Sequence, residues 1–429
     1  MDGRARPVTL VLDADLRPED AAAALQDAGA TRVVLAASGR TVSGDLLAAL
    51  RRAGAEPFGI ETVVVGGRSP AEVEPLLAAA RAKLDALAPN ERGRPTLNGG
   101  AFSRRALFSP GGALVYAPVA AVDEAACAGT VRCGLCIARC PENAIASTSP
   151  LPTVDPGACS ACGLCVPRCP SGALRITGAS TAQTEAQLGA LLGRVLGVVL
   201  ACREANADAP AGWALVELPT LALVTPGWVL QLRARGLEVR TAPCGDPHCA
   251  AVASAVALAD RIPIGAAPER LCLAEPRATA DAVRCLEITD VVESDTSPVG
   301  IVSIDATACT LCGACAAACP TDALQLDEDA DETSLRLRPS ACVACGRCAA
   351  ACPEHVLGVR PGIDPVRLRR DSIELVWAPR EQCATCGAVL PPRPMRRRLR
   401  EMLPELSGAP LELCARCATR AAAGAAQDY

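Results

Sequence analysis

The pattern of apolar and polar positions divides the chain before any chemistry is considered. Up to about residue 112, short β-rich runs alternate with helical patterns. Val8 to Leu12, Arg32 to Ala36 and Ile60 to Val65 read as strands, and Glu19 to Ala28 and Asp45 to Arg52 as helices. The best-marked helix starts after Ser69, with Pro70 at its first position and Glu72 completing a capping box. Val73, Leu76, Ala80, Leu84 and Leu87 then fall on one face. A second alternating region runs from about 180 to 297. Its expected strands are Val198 to Ala201, Ala214 to Leu218, Val239 to Ala242 and Leu271 to Leu273, with helices between. Both regions predict small parallel α/β layers.

Length and composition narrow the picture. A chain of 429 residues, half of them hydrophobic, has material for three or more domains. A net charge of −5 argues against a general affinity for nucleic acid or anionic membrane. The longest apolar stretch, Ala211 to Leu232, contains Glu217, Pro219 and Pro226, so no membrane span is expected. Neither α/β region contains G-x-G-x-x-G or a Walker A sequence. Gly66-Gly67 and Gly111-Gly112 read as turns, and no nucleotide site is assigned.

The outlier is cysteine, 25 in all. A disulfide framework would belong to a small secreted domain behind a signal peptide, but Met1 to Pro7 leads into no apolar region of that kind. The expectation is a reducing cytoplasm, where clustered cysteines bind metal. Three runs share one spacing: Cys159, Cys162, Cys165 and Cys169-Pro170; Cys309, Cys312, Cys315 and Cys319-Pro320; Cys342, Cys345, Cys348 and Cys352-Pro353. A fourth, Cys127, Cys133, Cys136 and Cys140-Pro141, departs by a five-residue gap after Cys127. Three thiolates so spaced can wrap a loop around one cubane, and the Cys-Pro that follows carries the fourth towards a neighbour. Ala161, Gly163, Gly313, Ala314 and Gly346 let the backbone approach.

This is the bacterial ferredoxin run, in which the last cysteine ligates the other cluster of the pair. Gaps of 18 and 22 residues pair the runs as neighbours. Cys127, Cys133, Cys136 and Cys169 are then assigned to one cluster, and Cys159, Cys162, Cys165 and Cys140 to the next. Cys309, Cys312, Cys315 and Cys352 take a third, and Cys342, Cys345, Cys348 and Cys319 a fourth. Residues 115–179 and 299–362 resemble the bacterial-type 2[4Fe–4S] ferredoxin family. The resemblance implies a βαβ-like fold doubled about a local twofold axis and low-potential one-electron transfer. Two modules in one chain are similar to polyferredoxins and to the ferredoxin-like subunits of hydrogenases.

Val198 to Cys202, Glu217 to Thr220 and Ala242 to Cys249 resemble the methyl-viologen-reducing hydrogenase delta-subunit family. That resemblance covers about 195–265. It implies a [2Fe–2S] cluster and electron passage between a hydrogenase or formate dehydrogenase and a flavin-containing partner. Cys202, Cys244 and Cys249 fall where the family has cysteines, but Thr220 stands where it has another. Cys272 and Cys285 are candidates to substitute; the alternative is a clusterless interaction surface. His248 reads as a hydrogen-bonding residue at a helix start. His355, after a cluster Cys-Pro-Glu, reads as tuning local solvation.

In the tail, Cys383-x2-Cys386 and Cys414-x2-Cys417 form a zinc-ribbon signature. The spacing also approaches that of rubredoxin, which holds one iron, but rubredoxin-like aromatics are missing and structural zinc is expected. Arg393, Arg396, Arg397, Arg398 and Arg400 form a basic run, either a solvated helix face or a docking patch for an acidic partner. Asp327 to Glu332 reads as an acidic loop.

The expected fold is multidomain α+β. It comprises an α/β domain of unknown role (1–112), a 2[4Fe–4S] module (113–179), a delta-subunit-like α/β domain (180–297), a second 2[4Fe–4S] module (298–362) and a zinc-ribbon-like tail (363–429). The expected function is electron relay within a soluble oxidoreductase complex, without catalytic residues of its own. The partners would be hydrogenase, formate dehydrogenase or flavoprotein subunits. A self-contained flavin-dependent reductase and a redox sensor or scaffold are the alternatives.

Overall fold

The computed structural model describes residues 8–89, 91–97, 114–148, 150–250, 252–264, 271–273, 277–284, 289–294, 297–329, 331–402 and 412–425. They form two compact units, Met1–Glu287 and Ile288–Tyr429.

In the first unit, strands Thr9–Asp13, Arg32–Ala37 and Ile60–Val64 lie side by side in that order, all parallel. The middle strand is covered on both faces, which is why it reads as an unbroken apolar run. Val33 and Leu35 pack with Ala21, Leu25, Leu46 and Leu50 from helices Pro18–Asp27 and Gly44–Arg52. Val34 turns the other way, onto Val63, Ala80 and Leu84. Helix Pro70–Asp85 carries the expected capping box, with the Ser69 N–H donating to Glu72 Oε2 at 3.0 Å. Arg32 is fully buried, donating to the carbonyls of Leu84 and Leu87 at the helix's C-terminal end and pairing with Glu56. Its charge therefore adds to the backbone N–H groups of Ala86 and Leu87, which already cap that helix end. Gly66-Gly67 is a turn, as expected; Gly111-Gly112 lies outside the described residues.

A second parallel sheet follows the first cysteine module. Gly197–Cys202 is central and buried along its whole length, flanked by Trp213–Leu218 and Glu238–Ala242. Helix Thr181–Leu191 packs against Pro70–Asp85. Arg40 also reaches Glu217, and Arg68 donates to the carbonyls of Ala209 and Trp213. The two α/β layers are therefore one body, with the module between them in sequence.

The expected strand Leu271 to Leu273 does not form. Its backbone groups are taken by side chains instead of a neighbouring strand. Gln231, fully buried, accepts from the Cys272 N–H at 3.0 Å and donates to the Cys272 carbonyl at 2.7 Å. The Leu273 N–H goes to Glu185 at 2.6 Å, and its carbonyl accepts from the Trp228 indole at 2.8 Å. Periodicity in three residues cannot tell this arrangement from a ladder.

In the second unit, Gly300–Ile304 pairs antiparallel with Leu357–Ile363, which also pairs with Val292–Glu293. Leu324–Glu328, Glu332–Leu337 and Ile373–Pro379 form an antiparallel sheet in that order. The acidic segment is not all loop: Asp327 and Glu328 end the first strand and Glu332 begins the second, and between them Asp329 Oδ1 accepts from the N–H groups of Asp331 and Glu332. The last strand comes from the stretch assigned to the tail on sequence.

Gln231 supplies three hydrogen bonds to backbone that has no strand partner. Gln231→Leu should leave those groups unpaired and lower the stability of the first unit by about 3 kcal/mol. Denaturant unfolding followed by tryptophan fluorescence would measure it, and an unchanged midpoint would refute this account.

Candidate metal centres

Each cysteine run hangs between two short strands, and the strands cross over. In the first module Ala120–Val122, before the first run, pairs with Leu174–Ile176, after the second. Ile145–Ser147, after the first, pairs with Pro152–Val154, before the second. The second module repeats this with Gly300–Ile304 on Leu357–Ile363 and Leu324–Glu328 on Glu332–Leu337. Because the chain leaves each Cys-Pro to join the other run's strand, Cys169, Cys319 and Cys352 are carried to thiols of the other run.

Local backbone geometry repeats as well. The residue two after the first cysteine is left-handed in every run: Ala161 (φ 59°), Leu311 (55°), Ala344 (53°) and, in the first run, Gly129 (82°). The same holds three residues after the last cysteine, at Asn143, Gly172, Asp322 and His355. His355 thus occupies a turn position. Non-glycine residues rarely adopt this conformation, so its recurrence marks one loop used four times. Cys127 is therefore placed as the first cysteine of its run despite the longer gap.

A further signal lies four residues before the first cysteine. Asp123, Asp155 and Asp305 each accept the N–H two residues on, from Ala125 (3.0 Å), Gly157 (2.7 Å) and Thr307 (3.0 Å). Hydrogen bonds from the Thr307 hydroxyl, then from the N–H groups of Thr307 and Ala308, hold Asp305 below the usual carboxylate range. Their own N–H groups donate across the module, to the carbonyls of Ala173, Ala144 and Val356. The Asp-x3-Cys spacing was available in the sequence and would have identified Cys127 independently of the cysteine pattern.

Two cavities are lined by thiols of both runs of a module. Cys127, Cys133, Cys136 and Cys169 line one, with Val122 and Leu174. Cys309, Cys312, Cys315 and Cys352 line the other, with Leu326 and Leu335. Burial, then the charges of Cys133 and Cys169, pushes the Cys136 thiol up to about 11. Burial raises Cys342 to about 12 and Cys348 to about 11, with Cys319 adding to both. Such thiols ionise only against a strong positive charge, which an iron core supplies. Cys165 feels Cys136, and Cys315 feels Cys348, so the two sites of each module are neighbours. The Ala144 N–H reaches Cys140 Sγ at 3.3 Å and the Leu311 N–H reaches Cys309 Sγ at 3.4 Å. Ser171 lies 3.6 Å from Cys169 Sγ, and Thr321 3.5 Å from Cys319 Sγ.

The tail sets a different geometry. Cys383, Cys386, Cys414 and Cys417 have sulfurs all within 4.8 Å of one another, Cys386 and Cys414 at 3.7 Å. A tetrahedron of thiolates around one ion has edges of about 3.8 Å, so this set fits a single metal. The Cys414 N–H donates to Cys383 Sγ, holding that thiol down to about 6. The basic run is not a free face. Arg396 is buried against Glu381, and Arg393 also reaches Glu381. Arg398 pairs at 2.9 Å with Glu354, which lines the cavity of Cys309 and Cys352. Arg397 remains exposed.

In the middle layer Cys202, Cys244 and Cys249 also lie within 4.8 Å of one another. Cys272 is not in this group, and Cys285 lies outside the described residues. His248 donates its backbone N–H to Asp246 at 2.7 Å, starting the helix Pro247–Ala250.

Residues 298–356 match the 4Fe-4S dicluster domain family, and residues 152–175 match the 4Fe-4S binding domain family. These ferredoxin-type domains support a role in iron–sulfur electron transfer. No curated protein matches the chain. Among the described residues no helix is long and apolar enough to cross a membrane.

If Cys127 is the displaced first ligand, Cys127→Ser should perturb one cluster of the first module and leave the second module's signals intact. Iron should fall by up to about four per chain. Wild-type iron content and spectra would exclude Cys127 as a ligand.

Proposed function

We propose that this protein is an electron relay carrying four [4Fe–4S] clusters and a structural zinc in its tail, serving as a subunit of a larger oxidoreductase. The reading rests on the crossed delivery of the fourth cysteine, which brings two thiol sets side by side in each module. Cys127, Cys133, Cys136 and Cys169 would hold one cluster, and Cys159, Cys162, Cys165 and Cys140 its neighbour. Cys309, Cys312, Cys315 and Cys352, and Cys342, Cys345, Cys348 and Cys319, would hold the other two. A [4Fe–4S] cluster supplies a centre that takes up and releases one electron at a time.

The chain's own residues bury the centres, exclude water and adjust their potentials. N–H groups and the Ser171 and Thr321 hydroxyls beside the thiolates favour the reduced state, whereas Glu354 opposes it and Arg398 offsets Glu354. Cys383, Cys386, Cys414 and Cys417 would hold the zinc. Donor and acceptor would be redox proteins, such as a hydrogenase, a formate dehydrogenase or a flavoprotein.

One observation favours a second reading, a self-contained flavin-dependent reductase. A cavity of about 410 Å³ in the first unit is lined by Arg40, Glu61, Gly67, Arg68, Gln187 and Glu217. It is large enough for part of an organic cofactor.

Anaerobically prepared protein should contain about sixteen irons and as many sulfides per chain. A strong one-electron donor should bleach it, and it should not oxidise hydrogen, formate or a nicotinamide cofactor unaided. Turnover by the isolated chain, or bound flavin, would replace the relay with the reductase. Saturation at about eight irons would remove one module.

A further inference from the structure

The middle layer has a ligand site where a parallel sheet is expected to place one. Gly197–Cys202 is central, and the chain runs from it first to Trp213–Leu218 on one side and then to Glu238–Ala242 on the other. The carboxyl ends of such strands, where the order reverses, form the crevice in which α/β sheets bind ligands. Cys202 ends the central strand, Thr220 lies two residues beyond one neighbour and Cys244 two beyond the other. Cys249 completes the group from the helix Pro247–Ala250.

The donors converge tightly. The sulfurs of Cys202, Cys244 and Cys249 lie within 4.8 Å of one another. Thr220 Oγ1 is 3.4 Å from Cys249 Sγ, which also accepts the Leu221 N–H at 3.3 Å. Cys202 and Cys249 are buried and Cys244 is half-buried. A two-iron centre needs two thiolates on each iron, and thiolates on different irons stand farther apart than those sharing one. Here all three sulfurs are close enough to share an ion, as in the tail, and an alcohol stands where a fourth thiolate would be. The donor set does not fit a [2Fe–2S] cluster.

We propose that Cys202, Cys244 and Cys249 bind a single zinc ion, with the fourth position beside Thr220 taken by its hydroxyl or by water. Three protein ligands with an oxygen, commonly water, in the fourth position are a recurring tetrahedral zinc arrangement. The site also bears on the neighbouring cysteine loop. Gly163, between Cys162 and Cys165, has φ 77°, and a Cβ there would come within 2.6 Å of Thr220 Cγ2 and 3.1 Å of Leu223. The zinc would thus fix the wall against which the loop of Cys159, Cys162 and Cys165 packs. Being redox-inactive, it makes this layer a support for that loop and not a station for electrons.

The test uses the full chain, prepared anaerobically with Cys386→Ser to remove the tail site. That protein should retain about one zinc per chain, and a further Cys202→Ser or Cys244→Ser should abolish it without lowering iron. Cobalt(II) should occupy the site in place of zinc and give the absorption of tetrahedral thiolate coordination, lost in the same variants. Cys244 is half-buried and on a loop, so its variant reads the site even if Cys202→Ser misfolds. Two additional irons with a [2Fe–2S] signature that disappears in Cys244→Ser would overturn the proposal. So would zinc and cobalt contents indifferent to both substitutions. Neither outcome touches the four-cluster reading, which is judged by the remaining iron.

Discussion

Pairing between the strand that leaves one cysteine run and the strand that enters the other is the constraint on which both modules depend. It fixes where Cys169, Cys319 and Cys352 go. It also explains why runs separated by 18 and 22 residues act together. The Asp123, Asp155 and Asp305 backbones are clamped by the carbonyls of Ala173, Ala144 and Val356. Each loop is therefore anchored at its start by the tail of its partner. Neither half of a module can take its shape alone.

Thiols form much of the interior. In the second unit Cys309, Cys315, Cys319, Cys342, Cys348 and Cys352 belong to the same buried cluster as Val302, Leu324, Leu335 and Leu337. Burial that raises a thiol to about 12, as at Cys315, opposes the ionised form that iron requires. Metal binding and folding are consequently linked: the cation that makes thiolates tolerable also fills the centre of the core.

Much of this was legible in the sequence because cysteine spacing and strand periodicity are local signals. The capping box at Ser69 and the two parallel layers follow from neighbouring residues. What was not legible depends on long-range partners. The segment Leu271–Leu273 is held by Gln231, Glu185 and Trp228, none of them adjacent in sequence. The basic run read as a solvated face or a docking patch because Glu381 and Glu354, its partners, lie outside it. The three thiols of the middle layer were visible, but their mutual distance, which decides how many metal ions they can share, was not. Cys127 lies four residues after Asp123 and two before the left-handed Gly129, the positions that the first cysteine of the second run holds relative to Asp155 and Ala161.

The strand Ile373–Pro379 has a bearing on how the protein must be handled. It covers the outer side of Glu332–Leu337, whose backbone would otherwise face solvent as an unpaired edge. Thr333, Ser334 and Leu335 are buried there, and an open edge of that kind recruits strands from other molecules. A fragment ending at Ile363 would keep every candidate ligand and the crossing strands of the second module yet expose this ladder. Its failure would be aggregation, with the metal chemistry intact in principle and the chain lost to self-association before iron could be inserted.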